Sequence, residues 1–216
     1  MNDLTIGILL TDHVVDALQE KHGDQNDFYY KIFNEAHKDI NLKIFDITLD
    51  EYPQNIDDCD GYLITGSKLS VYDDVQWIRD LEVFIQLLHL KKKSLLGVCF
   101  GHQLIAKALG GEVQKAKVGW VLGLQHYTFH NNFPWLENLN KDIKLIHSHQ
   151  DQVINLPEGT TLVASNELVP NAMYFIEDHI MSIQGHPEFT NEYAYDVVCK
   201  RRDILGEKIF KSAEQS

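Results

Sequence analysis

The feature that most limits what this chain can fold into is an alternation of two sequence periods through its first half. Short, nearly continuous apolar runs occur at residues 4–10, 42–47, 61–65 and 94–98. Runs of this length and composition read as strands buried on both faces. Helical patterns lie between them. Phe28, Ile32, Phe33 and Ala36 recur at helical spacing, as do Ile78, Leu81, Phe84, Ile85 and Leu88 ahead of the basic Lys91, Lys92 and Lys93. Basic residues there suit a helix C-terminus. Strand alternating with helix implies right-handed crossovers and an α/β fold with a mostly parallel central sheet flanked by helices.

From residue 112 to 184 the pattern changes to β-type runs, at 120–129, 144–147, 161–164, 173–177 and 180–183. Turn signals such as Leu156-Pro-Glu-Gly159 separate them. A last helix is expected from about 191 to about 210. No linker, low-complexity tract or internal repeat interrupts the 216 residues, so the chain reads as one domain over 1–216.

The chain carries 19 basic and 32 acidic residues, a formal charge of −13. Such a field repels polyanions, so neither nucleic acid nor an anionic membrane is an expected partner. The N-terminal stretch lacks a basic region and is too short for a signal peptide, and no run reaches the ~20 apolar residues of a membrane helix. Cys59, Cys99 and Cys199 are widely spaced and odd in number, which does not resemble a disulfide framework. The expected compartment is the reducing cytoplasm.

Residues 93–111 carry the densest information. An apolar strand leads into Gly97-Val98-Cys99-Phe100-Gly101, followed by an apolar-periodic helix that stops at Gly110-Gly111. This is the layout of a nucleophile elbow, with cysteine in the nucleophile's place. A strained strand-to-helix turn leaves no room for a Cβ two residues to either side. It also aims the sulfur at the unpaired N–H groups of a helix N-terminus, which favour thiolate over a thiol that ordinarily titrates near about 8.5. The Phe100 N–H lies next in the chain and could stabilise an oxyanion. A buried structural cysteine on a tight turn is the competing reading.

A cysteine nucleophile needs an imidazole, and the imidazole needs an orienting group. Among eleven histidines, His186 stands out in Met181-Ser-Ile-Gln-Gly-His-Pro-Glu-Phe189. In an extended segment His186 and Glu188 point the same way, and Pro187 biases His186 toward that geometry. Taken alone, the segment is better explained by a strand-end turn with a solvated His and Glu.

Together these motifs resemble those of class I glutamine amidotransferases, with Gly97–Gly101 plus His102-Gln103, and Gln184-Gly-His-Pro-Glu-Phe189, in the order Cys, His, Glu. Four further stretches resemble a freestanding subgroup similar to the glutaminase domain of GMP synthase. They are Ile64-Thr-Gly-Ser67, Val71-Tyr-Asp-Asp74 with Trp77-Ile78, His147-Ser-His-Gln-Asp-Gln-Val153, and Pro170-Asn-Ala172. The resemblance implies a flavodoxin-like three-layer fold and a triad of Cys99, His186 and Glu188. It implies an oxyanion hole at the N–H groups of Gly66 and Phe100. It also implies a substrate pocket at Gln103, His147, Ser148, His149 and Asp151. The implied reaction is hydrolysis of a γ-glutamyl amide, glutamine or a γ-glutamyl peptide, with neither cofactor nor metal. Synthetase-coupled relatives typically read Gly-Gly-Pro where this chain has Thr65-Gly66-Ser67, and Phe where it has Gly185; both departures are normal in the freestanding subgroup.

Other readings remain open at this stage. The chain could be a glutaminase that supplies ammonia to a separate synthetase in trans, since no acceptor domain follows residue 216. It could also be a non-catalytic binding or regulatory protein that keeps the pocket. A cysteine-elbow hydrolase of the heat-shock protease type fits the elbow but not His186-Pro-Glu188. His147, His149 and Asp151 lack a second cluster to make a metal site. His126 and His130 read as a half-exposed strand face. Cys59 and Cys199 lack glycine elbows. Tyr72, Asp73 and Asp74 form either a turn rimming the pocket or a cap on the Trp77 helix, and capping suffices for Asp74.

Overall fold

The computed structural model describes residues 4–36, 40–130 and 143–213. Its first half follows the alternation in the sequence: β1 (Leu4–Leu10), α1 (Asp16–His22), α2 (Gln25–Ala36), β2 (Ile40–Asp46), β3 (Gly61–Ile64), α3 (Gln76–Leu90), β4 (Ser94–Val98) and α4 (Phe100–Ala108). The second half holds β5 (Glu112–Lys115), β6 (Val121–His126), β7 (Thr128–Phe129), β8 (Lys144–His149), β9 (Asp151–Asn155), β10 (Thr160–Ser165), β11 (Met173–Ile176) and β12 (Ile180–Ile183). Helices α5 (Asn191–Lys200) and α6 (Arg202–Ala213) close it.

The main sheet has the strand order β2-β1-β3-β4-β12-β11-β10-β7. The first five run parallel, and β11, β10 and β7 continue the sheet antiparallel. Strand alternation splits each central strand between two cores. Ile8, Leu63 and Val98 face Tyr29 and Phe33 of α2. Leu9, Tyr62, Ile64 and Leu95 instead pack with Ile78, Leu81, Ile85 and Leu88 of α3 and with Leu104 and Ile105 of α4. This two-sided burial is why the strands read as unbroken apolar runs. Two small antiparallel sheets, β5–β9 and β6–β8, lie outside the main one.

Three local expectations are corrected, and one helix is unexpected. Residues 120–129 form two strands, because Tyr127 leaves the β6 ladder and turns inward, 4% exposed. The last helix divides after Lys200 and kinks again at Gly206 (φ 74°), so α6 is not continuous with α5. Helix α1 has too few apolar positions to show a period. Asp74 does not cap α3: Val75 holds that position without a side-chain bond, and Asp74 instead pairs with Arg79 at 2.7 Å. Among the described residues no helix is long and apolar enough to cross a membrane.

Candidate active site

The site lies at the carboxyl ends of β1, β3, β4 and β12, the edge where open parallel sheets bind ligands. Cys99 follows β4 and precedes α4, with φ 51° and ψ −98°. This backbone is strained for a residue with a Cβ, and its surroundings hold it there. A Cβ on Gly97 would come 2.7 Å from the Gly101 carbonyl carbon, and one on Gly101 would come 2.5 Å from the Ile64 carbonyl oxygen. The Cys99 N–H donates to the Ile183 carbonyl at 2.9 Å, tying the elbow to β12. Phe100 opens α4, where a first-turn N–H has no acceptor within its helix.

His186 and Glu188 follow the end of β12. The His186 N–H donates to the Ile146 carbonyl of β8 at 2.8 Å. Its imidazole Nδ1 lies 2.7 Å from Glu188 Oε1 and its ring stacks on Phe189, centroids 3.9 Å apart. Both residues are buried. Burial alone would push the imidazole down. The Glu188 carboxylate and the neighbouring Cys99 sulfur reverse this and hold it up at about 10. The three residues expected to act together are therefore in contact. Tyr29 of α2, which the motifs gave no reason to single out, is wholly buried beside Glu188, and that burial and the carboxylate raise its phenol.

Behind His186 stands an uncharged polar layer. The Gly185 N–H donates to the Tyr127 hydroxyl at 3.1 Å, and that hydroxyl is hydrogen-bonded to His147 Nε2 at 2.9 Å. A Cβ on Gly185 would lie 2.8 Å from the Tyr127 hydroxyl and from His147 Nε2. The glycine that departs from the usual Phe thus makes room for Tyr127. Burial pushes His147 down to about 3, and does the same to His102, which bonds the Ser182 hydroxyl at 2.7 Å. His149, buried and joined to Gln152 at 3.3 Å, is also pushed well down by burial.

The loop after β3 reaches the same place. A Cβ on Gly66 would lie 3.1 Å from His186 Cε1 and 3.7 Å from Cys99 Cβ. The Thr65 carbonyl accepts from the Gly101 N–H at 3.2 Å and from the Thr11 hydroxyl at 3.2 Å. The Gly66 carbonyl lies 3.1 Å from the same Thr11 hydroxyl and accepts from Gln25 Nε2 at 3.2 Å. Thr65, where coupled relatives carry glycine, meets Thr11 hydroxyl to hydroxyl at 3.0 Å.

Two cavities open on Cys99. One, of about 170 Å³, is polar and is lined by Gln103, Ser148, His149 and Asp151 among others. Four of the five residues expected to hold substrate meet there. The fifth, His147, does not line it, because its position on β8 turns it toward Tyr127. The Asp151 carboxylate accepts from the hydroxyls of Ser70 at 2.5 Å and Tyr72 at 2.8 Å, so Tyr72 belongs to the pocket's support. Gln103 donates through Nε2 to the Asp151 carbonyl and to Gln184 Oε1. The other cavity, of about 200 Å³, has largely apolar walls from α1 and α5 and contains His186 as well as Cys99. Arg201 lines both and donates to the Ser148 hydroxyl at 2.7 Å. Its only trace in the sequence is the basic run Lys200-Arg201-Arg202 in an acidic chain.

Glu177, Asp178 and His179, at the turn between β11 and β12, are the trio among the described residues whose ligand atoms come within 4.8 Å of one another. Lys92 pairs with Glu177 there. Cys59 is buried and Cys199 half-buried, and neither is in a disulfide.

Residues 26–200 match the family model described as glutamine amidotransferase class-I. The chain is 39% identical over 151 residues to γ-glutamyl peptidase 3 of Arabidopsis thaliana, covering 67% of this chain and 60% of that protein. It is 33% identical over 152 residues to a glutamine-hydrolysing GMP synthase component from Sulfolobus acidocaldarius, covering 70% of this chain and 79% of that protein. A crystal structure of a glutamine amidotransferase from Thermotoga maritima shares the fold, with TM-score 0.79 at 19% identity over 100% of this chain and 92% of that one. The chain spans 60–64% of the length of three γ-glutamyl peptidases of Arabidopsis that it matches. With the elbow, the His186–Glu188 pair and the family match in agreement, the chain belongs to the class I glutamine amidotransferase family.

Proposed function

We propose that this protein hydrolyses the γ-glutamyl amide bond of glutamine or a γ-glutamyl peptide through a thioester on Cys99. The observation that carries this reading is the convergence of Cys99 and Glu188 on one buried imidazole, His186, whose Nδ1 lies 2.7 Å from Glu188 and which lines the same cavity as Cys99. Thiolate is the nucleophilic form of a cysteine, and the neighbouring imidazole is the group that takes and returns its proton. The thiolate attacks the γ-carbonyl, and the N–H groups of Phe100 and Gly66 receive the oxyanion. His186 gives its proton to the leaving nitrogen as the C–N bond breaks. Water then attacks the thioester and His186 takes its proton, so glutamate leaves and the thiolate returns. Glu188 orients the ring.

The polar cavity suits the glutamyl head. Gln103 spends its amide donors on the fold, which leaves its carbonyl oxygen to accept from an α-ammonium. The Asp151 carboxylate, held by Ser70 and Tyr72, supplies the countercharge. Ser148 and His149 complete that wall. No residue in this scheme calls for a cofactor, and a reducing cytoplasm suits a working thiolate.

A freestanding hydrolase is favoured over a glutaminase waiting for a synthetase. Thr11 and Gln25, from this chain, pin the carbonyls on either side of Gly66. In a trans peptide the N–H points opposite to the preceding carbonyl. Fixing Thr65 C=O toward Gly101 therefore fixes the direction of the Gly66 N–H without a partner. The test is glutamate release by the purified chain from glutamine and γ-glutamyl peptides, with Cys99→Ala as blank. Release that requires Cys99 supports the reading. No release, with Cys99 labelled by an electrophilic glutamine analogue, favours the ammonia-supplying role. No release and no labelling favours a binding protein.

A further inference from the structure

The two cavities that meet at Cys99 differ in one respect that decides which part of a substrate each receives. His186 lines the larger cavity and not the polar one. Whatever departs as the amine must lie beside the group that protonates it. The acyl part then occupies the polar cavity with Gln103 and Asp151, and the amine leaves through the other.

That second cavity is built for more than ammonia. Val14 and Leu18 of the α1 region pack against Tyr193 and Val197 of α5, and all four line it. Lys200 and Arg201, at the end of α5, stand at the same cavity. Lys68 is there too, but Asp12 neutralises it at 2.7 Å. Arg201 is held in place by the Ser148 hydroxyl and lies over the Trp120 ring, its guanidinium carbon 5.6 Å from the centroid. A planar, pre-positioned guanidinium matches a carboxylate. Apolar walls next to free cationic charge fit an amine with an apolar body and an anionic end.

We propose that this cavity is the leaving-amine subsite. It selects γ-glutamyl amides of apolar amino acids, with the side chain against Leu18, Tyr193 and Val197 and the α-carboxylate on Arg201 and Lys200. The proposal rests on the hydrolase reading above and names its substrate class. Ammonia from glutamine fills none of this space and gains nothing from it.

The test compares kcat/KM of the full chain for glutamine, γ-glutamyl-glycine, γ-glutamyl-leucine and γ-glutamyl-leucinamide, with Cys99→Ala as blank. Burying a leucine side chain favours γ-glutamyl-leucine over γ-glutamyl-glycine by about tenfold or more. A charge-assisted contact favours γ-glutamyl-leucine over its amide by about tenfold. In Arg201→Gln the second ratio falls to about one to three, because the contact that discriminates is gone. Ratios are read rather than rates, so an effect of Arg201 on the acyl cavity through Ser148 cancels. Turnover of all four substrates at similar kcat/KM overturns the subsite while leaving the hydrolase reading intact. An unchanged leucine-to-leucinamide ratio in Arg201→Gln overturns the carboxylate contact. Turnover of none, with the blank equal to wild type, overturns the hydrolase reading and the subsite with it.

Discussion

The buried histidines around the site end on opposite sides of neutrality. Burial opposes charge on all of them. On His186 the Glu188 carboxylate and the Cys99 sulfur outweigh it, and the imidazole is held up at about 10. On His102 and His147 nothing does, and both are held down at about 3. Their partners are uncharged, the hydroxyls of Ser182 and Tyr127. The lesson is that proximity to an anion, not depth, sets which buried histidine carries charge in this fold. The neutral set also serves the charged one, since Tyr127 and His147 fix Gly185 immediately before His186.

The comparison breaks most completely at the triad. Cys99→Ala removes the nucleophile, and turnover should fall roughly a million-fold, to the level of the blank. His186→Asn should nearly abolish it as well. In the same Cys99→Ala chain the His186 imidazole should titrate lower than in wild type, read from its NMR shifts against pH. An unmoved titration would mean the sulfur contributes nothing to its charge. Glu188→Gln should cost less, leaving activity about a hundredfold above Cys99→Ala, because orienting residues usually matter less than nucleophiles.

The neutral side breaks more gently. Tyr127→Phe leaves the buried His147 Nε2 and the Gly185 N–H without their partner and should cost about 1–3 kcal/mol in urea unfolding. No loss there would show that the hydroxyl is dispensable. The comparison also shows in pH. His186 is raised in the fold, so its stabilising contribution is full below its ordinary value near 6.5 and is lost as pH rises through about 10. The unfolding free-energy gap between wild type and His186→Asn should therefore be widest in mild acid and close toward pH 10. His102 and His147 act in the other sense, withdrawing stability as pH falls from about 6.5 toward about 3.

Much of this was readable in advance, and unevenly. Strands buried on both faces announce themselves as apolar runs, so β1, β3 and β4 were legible nearly to the residue. The second half was less so. Tyr127 sits at the end of an ordinary alternating strand, and nothing in that pattern shows that it leaves the ladder to reach Gly185. Helix α5 gave no sign that Arg201, at its end, reaches Ser148, because such contacts join residues far apart in the chain. His147 is placed away from the polar cavity for a related reason: it shares the β8 face of His149 but lies one pair further along the strand, against Tyr127, which the motif does not show.

The sequence by itself determined the elbow, since only glycines at 97 and 101 tolerate a strained Cys99 between Ile105 and Ile64. It determined the parallel sheet, through period and run length, while the spacing of His186 and Glu188 about a proline allowed their pairing without deciding it. Tertiary structure alone decided which histidines are charged and how the two cavities divide Cys99's surroundings. It also decided that the Gly66 loop is held by Thr11 and Gln25. The reason is physical. Backbone conformation and burial are written locally, in residue type and spacing, whereas the field at a titrating group and the shape of a cavity are sums over residues that only folding brings together.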